Sequence, residues 1–292
     1  MSALQFGLDV PTAVRDGHDP VALAVRAEWL GFDFVSSSDH PGAGAAGNET
    51  WTMLCWIAAA TSRIGIATRV LGVPYRAPAM VAKAAETFDR LSGGRLVLGL
   101  GGGSADAEHR AFGLGVRTPR EKVDGLEEAV TIVRGLWSQP RFTFAGRLYR
   151  VEEATLEPRP ARPIPIWLGT FGPRALALTG RLADGWIPSY GYASPDELVA
   201  MRARVLDAAH RAGRDEDAIT CALNVDVDVR ERPAGDASLA GPPQLVAERL
   251  AELADAGFSA FNFLVAGPDR DAQVERIAAE VVPALRVRRP AL

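Results

Sequence analysis

Apolar residues along the chain switch repeatedly between two periods. Leu4 to Val10 is a short, largely apolar run, and Asp19-Pro20 then opens a stretch with Val21, Val25 and Trp29 at helical spacing before Gly31. The first pattern predicts a strand, the second a helix with an aspartate N-cap, a first-turn proline and a glycine stop. The alternation recurs. Further strands are predicted at 32–37, 64–71, 96–100, 164–169, 186–189, 219–229 and 261–266. Helices fall between them at 50–61, from Met80 to Leu91, from a capping box at 118–121 through Trp137, from Pro173 through Leu182, from a second box at 194–197 to Gly213, at 242–256 and at 269–285. Phe142 to Val151, turning at Gly146, reads as an appended hairpin, 104–117 as a loop and 158–165 as a proline-rich connector. Eight strands and eight helices in strict alternation predict a parallel sheet closed by helices into a single (β/α)8 TIM barrel over 1–292, with insertions at the C-terminal face.

Lys83 to Asp106 holds one full unit of this pattern. Met80, Ala84 and Leu91, with Val81, Ala85 and Phe88, form the apolar stripe of a helix that Ser92-Gly93-Gly94 ends. Leu96, Val97, Leu98 and Leu100 then read as a strand buried on both faces, followed by three glycines where a side chain would obstruct a ligand. A dinucleotide-binding loop is excluded. That fold needs its glycines on an early strand and an acidic residue ending the next strand about 20 residues on, whereas here the loop follows the fourth strand and Glu121 opens a helix. In a TIM barrel, chemistry lies past the C-terminal strand ends, which singles out Asp39-His40, Val70 to Arg76, Gly101 to His109, Thr170 to Arg174 and Ser189 to Tyr192.

Composition narrows the function. The 292 residues are 48% hydrophobic and 23% charged with a net charge of -4, so there is no basic excess for nucleic acid, and no apolar run reaches a membrane-spanning length. Cys55 and Cys221 are isolated, and Met1-Ser2-Ala3 leads straight into a strand, which fits the cytoplasm. His18, His40, His109 and His210 show no metal-ligand spacing.

The segments FDRLSGGRLVLGLGGG (Phe88 to Gly103), TRVLGVPYRAPAMVAK (Thr68 to Lys83) and GPRALALTGRLADGW (Gly172 to Trp186) resemble the bacterial luciferase-like superfamily of flavin and deazaflavin oxidoreductases. The resemblance runs through nearly the whole chain. Ser38-Asp39-His40 is similar to the branch that uses coenzyme F420, which implies an F420-dependent oxidoreductase passing hydride between the deazaflavin and a small organic substrate. The alternatives are an FMN-dependent monooxygenase and a flavin- or deazaflavin-binding protein without turnover. A homodimer is also implied.

From the residues, Asp39 next to His40 at a strand's catalytic end can orient a polar ring edge and supply a group titrating near neutral pH. The expected roles are His40 as catalytic proton donor or acceptor and Asp39 as a cofactor contact. By resemblance, Arg69, Val70 and Gly72 belong to a bulge with a non-proline cis peptide at Arg69-Val70 that backs the cofactor ring, and Gly101, Gly102 and Gly103 face it. Thr170 and Phe171 are expected cofactor contacts, and Gly172 and Arg174 are expected at its phosphate, because Gly172-Pro173 opens a helix whose N-terminus is a ready anion site. Arg110, Arg117, Arg120 and Lys122 are candidates for attracting its acidic tail. Trp51, Trp56, Trp186, Tyr190 and Tyr192 are candidate pocket aromatics, with Trp56 read as core. The sugar-phosphate dehydrogenases of this branch carry a glutamate directly after the glycine elbow and a tryptophan shortly after Asp-His. This chain has Ser104 and only small residues there, so that activity is disfavoured and a second acid or base is left unnamed.

Overall fold

In the computed structural model, which describes residues 3–15, 17–42, 46–233, 239–265 and 269–288, the apolar runs close into an eight-stranded parallel barrel. Its strands are β1 (Gln5–Asp9), β2 (Phe34–Ser37), β3 (Gly65–Thr68), β4 (Leu96–Gly101), β5 (Ile166–Leu168), β6 (Gly185–Trp186), β7 (Thr220–Val229) and β8 (Ala260–Val265). They pair in chain order, and β8 returns to β1, so no edge of the barrel stays open. Around it run α1 (Pro20–Leu30), α2 (Thr50–Ala60), α3 (Pro78–Leu91), α4 (Asp106–Ala111), α5 (Pro119–Ser138), α6 (Pro173–Leu182), α7 (Pro195–Arg211) and α8 (Pro243–Asp255). The last helix is α9 (Arg270–Arg276), a π turn over Ile277–Val281, and α10 (Val282–Arg288). The TIM barrel expected from the sequence is the observed fold. The hairpin is present too, as strands Phe142–Ala145 and Arg150–Ala154.

The barrel interior is layered by the two-residue period of its strands. Phe34, Ala67, Trp167, Ile187, Ala222 and Ala260 form an apolar cluster of their own. Phe34 and Trp167 meet edge to face with centroids 5.8 Å apart. Glycines make room for both rings: a Cβ on Gly7 would lie 2.2 Å from Phe34, and one on Gly185 would lie 2.4 Å from Trp167. Two residues beyond Gly7, Phe34, Ala67, Ala222 and Ala260 the residues turn polar, at Asp9, Ser36, Arg69, Asn224 and Asn262. That polar layer sits at the catalytic end.

Several expected details differ. Residues 104–117 contain α4, whose first turn carries Asp106 and Glu108 and whose last turn carries His109 and Arg110. The third strand stops at Thr68, a cis peptide joins Arg69 to Val70, and Leu71–Gly72 continues alongside β4, pairing with Leu100 and Gly101. Helix α1 buries Leu23, Ala24 and Ala27 and leaves Val25 and Trp29 exposed. Helix α3 exposes Met80 and Leu91 and buries Val81, Ala82, Ala85 and Phe88 beside two acids, Glu86 and Asp89. Trp56, read as core, is 69% exposed. The end of the eighth strand at Ala266 and the small residues at 43–45 lie outside the described residues.

Candidate active site

At the C-terminal end of the barrel a cavity of about 590 Å³ opens between the strand ends and α5, within the usual range for ligand sites. Arg69 and Asn224 of the polar layer line its floor, with Asp9, Ser36 and Asn262 behind them. Ser36 Oγ donates to Asn262 Oδ1 at 2.9 Å, Asn262 Nδ2 to Asn224 Oδ1 at 2.9 Å, and Asn224 Nδ2 to Ser189 Oγ at 3.2 Å. Arg69 Nη2 donates to Asp9 Oδ1 at 2.9 Å, and its buried Nε has no protein partner. A chain of buried, mutually satisfied amides holds a rigid floor, because each member left unpaired would carry its full desolvation cost.

One wall is the rearranged end of the third strand. Gly99 N donates to Thr68 Oγ1 at 2.7 Å while that hydroxyl donates to Gly99 O at 2.8 Å, pinning β3 to β4 just before the cis peptide. Val70 then leans over the glycine elbow. A Cβ on Gly101 would lie 2.6 Å from Val70, one on Gly102 would lie 3.0 Å from Lys122 O, and one on Gly103 would meet His109 and Pro74 below 3.0 Å. These glycines are therefore required first by the protein's own neighbours, and only beyond that by a ligand. Gly103 also has φ +82°, where a side chain is strained.

Asp39 is buried, and its carboxylate is committed to Arg76 through two bonds of 2.7 and 3.0 Å and to Gly72 N at 3.0 Å. Arg76 also pairs with Glu49. Asp39 thus ties the second strand end to the bulge, and its side chain meets the cavity with most of its acceptor capacity used. His40 is different: its side chain is 45% exposed, and Nδ1 lies 3.2 Å from Glu108 Oε1 on α4. The other Glu108 oxygen accepts from Tyr75 Oη at 2.7 Å. Burial, and then the bond to Glu108, raises the Tyr75 phenol well above its ordinary value, so it stays a proton donor.

The opposite side is built by the fifth strand end and α6. Thr170 is held by Trp186 Nε1, which donates to its carbonyl at 2.9 Å, and by the Thr179 hydroxyl at 2.8 Å. Phe171 and Tyr192 face each other across the rim with centroids 5.5 Å apart. Gly172 is the N-cap of α6, has no side-chain cap, and would have open space around a Cβ.

Ten of the twelve residues singled out from the sequence line this cavity: Asp39, His40, Arg69, Val70, Gly72, Gly101, Gly102, Gly103, Thr170 and Phe171. Gly172 and Arg174 do not. Arg174 pairs with Asp124 and lines an adjoining cleft with Pro119, Arg120 and Val123. Of the expected tail-binding cations, Lys122 lines the cavity, Arg120 lines that cleft, and Arg117 stacks over Tyr149 at 5.1 Å. Trp186 is core, and Trp51 packs on Phe88. Sequence reasoning placed Tyr75 and Glu108 within the segments Val70 to Arg76 and Gly101 to His109 without giving either a role, and it missed the Ser36-Asn262-Asn224 floor. The acidic first turn and basic last turn of α4 carried the signal for Glu108, and polar residues at a two-residue step from buried apolar ones carried the signal for the floor.

The model of the luciferase-like monooxygenase family matches residues 3–235. The chain belongs to that family. An F420-dependent glucose-6-phosphate dehydrogenase of Nakamurella multipartita is 34% identical over 298 residues, covering 94% of this chain and 84% of that protein. An F420-dependent hydroxymycolic acid dehydrogenase of Mycobacterium tuberculosis is 38% identical over 203 residues, 67% of this chain and 54% of that protein. Among solved structures, an F420-dependent secondary alcohol dehydrogenase in complex with an F420-acetone adduct shares the fold, with a TM-score of 0.87 and 22% identity over 97% of this chain and 99% of that one.

Proposed function

We propose that this luciferase-like chain is an F420-dependent oxidoreductase that interconverts an uncharged secondary alcohol and its ketone. When bound, the deazaflavin supplies the carbon that accepts or returns hydride. The residues present fit such a group. A flat wall at Val70 backed by the glycine elbow suits a ring, the uncapped N-terminus of α6 at Gly172 suits a phosphate, and the orphaned Arg69 Nε suits a ring carbonyl. The cleft with Arg120 and Arg174 suits the acidic tail.

The chain's own part is binding and proton handling. His40 takes the hydroxyl proton of the alcohol as hydride leaves, or returns it to the ketone oxygen in the reverse direction. Phe171 and Tyr192 cover the rim, and the amide floor holds the substrate end rigid.

The substrate class rests on one observation. Among the described residues, the arginine and lysine lining the cavity, Arg69 and Lys122, are both already paired, with Asp9 and Asp106. A phosphorylated substrate therefore finds no unpaired lining Arg or Lys, and Ser104 stands where the sugar-phosphate enzymes carry their glutamate. Turnover with oxidised F420, followed by loss of the deazaflavin absorbance, compares the two classes. Uncharged secondary alcohols are expected to show kcat/KM at least ~10-fold above that for glucose 6-phosphate, a difference of about 1.4 kcal/mol in transition-state stabilisation. A preference for the sugar phosphate contradicts the reading.

A further inference from the structure

We infer that Glu108, together with Tyr75, is the positioning device of His40. The carboxylate fixes the neutral ring as its Nδ1–H tautomer and leaves Nε2 unprotonated to face the cavity. The inference deepens the proposed function and rests on it only for the role of His40 in proton transfer.

The geometry is a three-member chain built from three different strand ends. His40 comes from the loop after β2, Tyr75 from the short turn after Leu71–Gly72, and Glu108 from α4 after the glycine elbow. His40 Nδ1 and Glu108 Oε1 are 3.2 Å apart, and Tyr75 Oη donates to Oε2 at 2.7 Å. A carboxylate accepts hydrogen bonds, so the proton of a neutral ring beside it belongs on Nδ1. Free neutral imidazole has no such partner and is not fixed in that form. Glu108 is 8% exposed and does not line the cavity, whereas His40 does, so Glu108 acts through His40.

Tyr75 adds a second restraint. Its phenol is held neutral and donating, and its ring packs edge to face on His109 at 4.9 Å, which fixes the hydroxyl toward α4. Around this chain, the Asp39–Arg76 pair with Glu49 lies on one side and Lys122–Asp106 on the other. All five of these charged groups, three carboxylates and two cations, are already ion-paired with one another. Glu108 therefore stands free of a competing lysine or arginine partner among the described ion pairs, with its two oxygens given to Tyr75 and His40.

The carboxylate missing at position 104 is thus recovered one helical turn later, but from behind the histidine rather than against the substrate. It holds a base in its working tautomer, the arrangement in which removing the orienting carboxylate costs a serine hydrolase about 10⁴ in kcat.

The test uses the unliganded full-length chain with histidine labelled on its ring nitrogens, so that neither F420 nor the substrate enters. In the parent, the 15N spectrum of neutral His40 is expected to show a protonated Nδ1 and a bare Nε2. Glu108→Leu should shift the ring to the Nε2–H form, and Glu108→Gln, whose amide oxygen still accepts, should keep Nδ1–H. Where Glu108→Leu does not fold, Glu108→Asn carries the same test, since its side chain is one methylene too short. A protonated Nε2 in the parent, or an unchanged spectrum in the Leu or Asn variant, overturns the inference. In the loaded enzyme, the variant that loses the tautomer should lose ~10² or more in kcat with F420 affinity changed by less than about twofold. A tautomer switch with unaltered kcat would leave the positioning intact and remove His40 from the chemistry instead.

Discussion

At the scale of single residues, His109 is the side chain most at odds with its surroundings. It is fully buried, neither ring nitrogen has a hydrogen-bond partner, and it packs between Tyr75 and Gly103. Burial, and then the charge of Lys122, holds its ring below the ordinary histidine value, so the folded chain keeps it neutral where the unfolded chain protonates it. The unfolded state then binds more protons, and stability rises with pH. This contribution is complete above the unfolded value of about 6.5 and is lost as pH falls below it. Denaturant titrations between about pH 7.5 and 5.5 should show the parent losing stability, and His109→Leu should remove part of that slope; an equal slope in both would place the pH dependence elsewhere. The sequence carried His109 only as the end of the Gly101 to His109 segment and as a histidine without metal spacing, because burial without a partner leaves no trace in residue type. His40, by contrast, was legible, since its place after a predicted strand set its direction. Glu108 fell inside a segment singled out for its position but received no role, because α4 is too short for a hydrophobic period to reveal.

At the scale of elements, the segment that carries the strongest family resemblance serves mostly the fold. Asp89 accepts from Leu96 N at 3.2 Å and pairs with Arg162 at 2.8 Å. Arg95 donates to carbonyls of Ala58, Thr61, Ile64 and Ser92, stapling the end of α2 to the starts of β3 and β4. This is the stability face of the barrel, opposite the chemistry. The helix faces were misread for a related reason. In α1 only Arg26 and Glu28 are charged, so apolar spacing selects no side, and in α3 the buried face includes the acids Glu86 and Asp89, which hydropathy counts as exposed. Helix α6 offers a direct test of the proposed phosphate site. Because a Cβ at Gly172 meets open space, Gly172→Asp should fold normally and weaken F420 binding by at least ~10-fold through repulsion and lost dipole stabilisation. Arg174, already paired with Asp124, should cost only about twofold as Arg174→Ala. Fluorescence titration of both variants checks this, and the reverse order would make Arg174 the ligand.

At the scale of the whole molecule, the strict alternation of strand and helix made the barrel legible, and the rule that chemistry follows strand ends collected ten of twelve site residues into one cavity. What sequence could not show was depth. The same two-residue period that buries Phe34 and Trp167 lifts Ser36, Asn224 and Asn262 into a polar floor, a relation that exists only once eight strands share one axis. Floor and wall are fixed by the protein's own contacts, so the cavity is largely preformed before any ligand enters. No helix among the described residues is long and apolar enough to cross a membrane. The most direct measurement of the account is a side-by-side titration of the purified chain with oxidised coenzyme F420 and with FMN, read by cofactor fluorescence at equal ionic strength. Binding of F420 at least ~10-fold tighter than FMN, about 1.4 kcal/mol or more, is the predicted result, and tighter binding of FMN contradicts it.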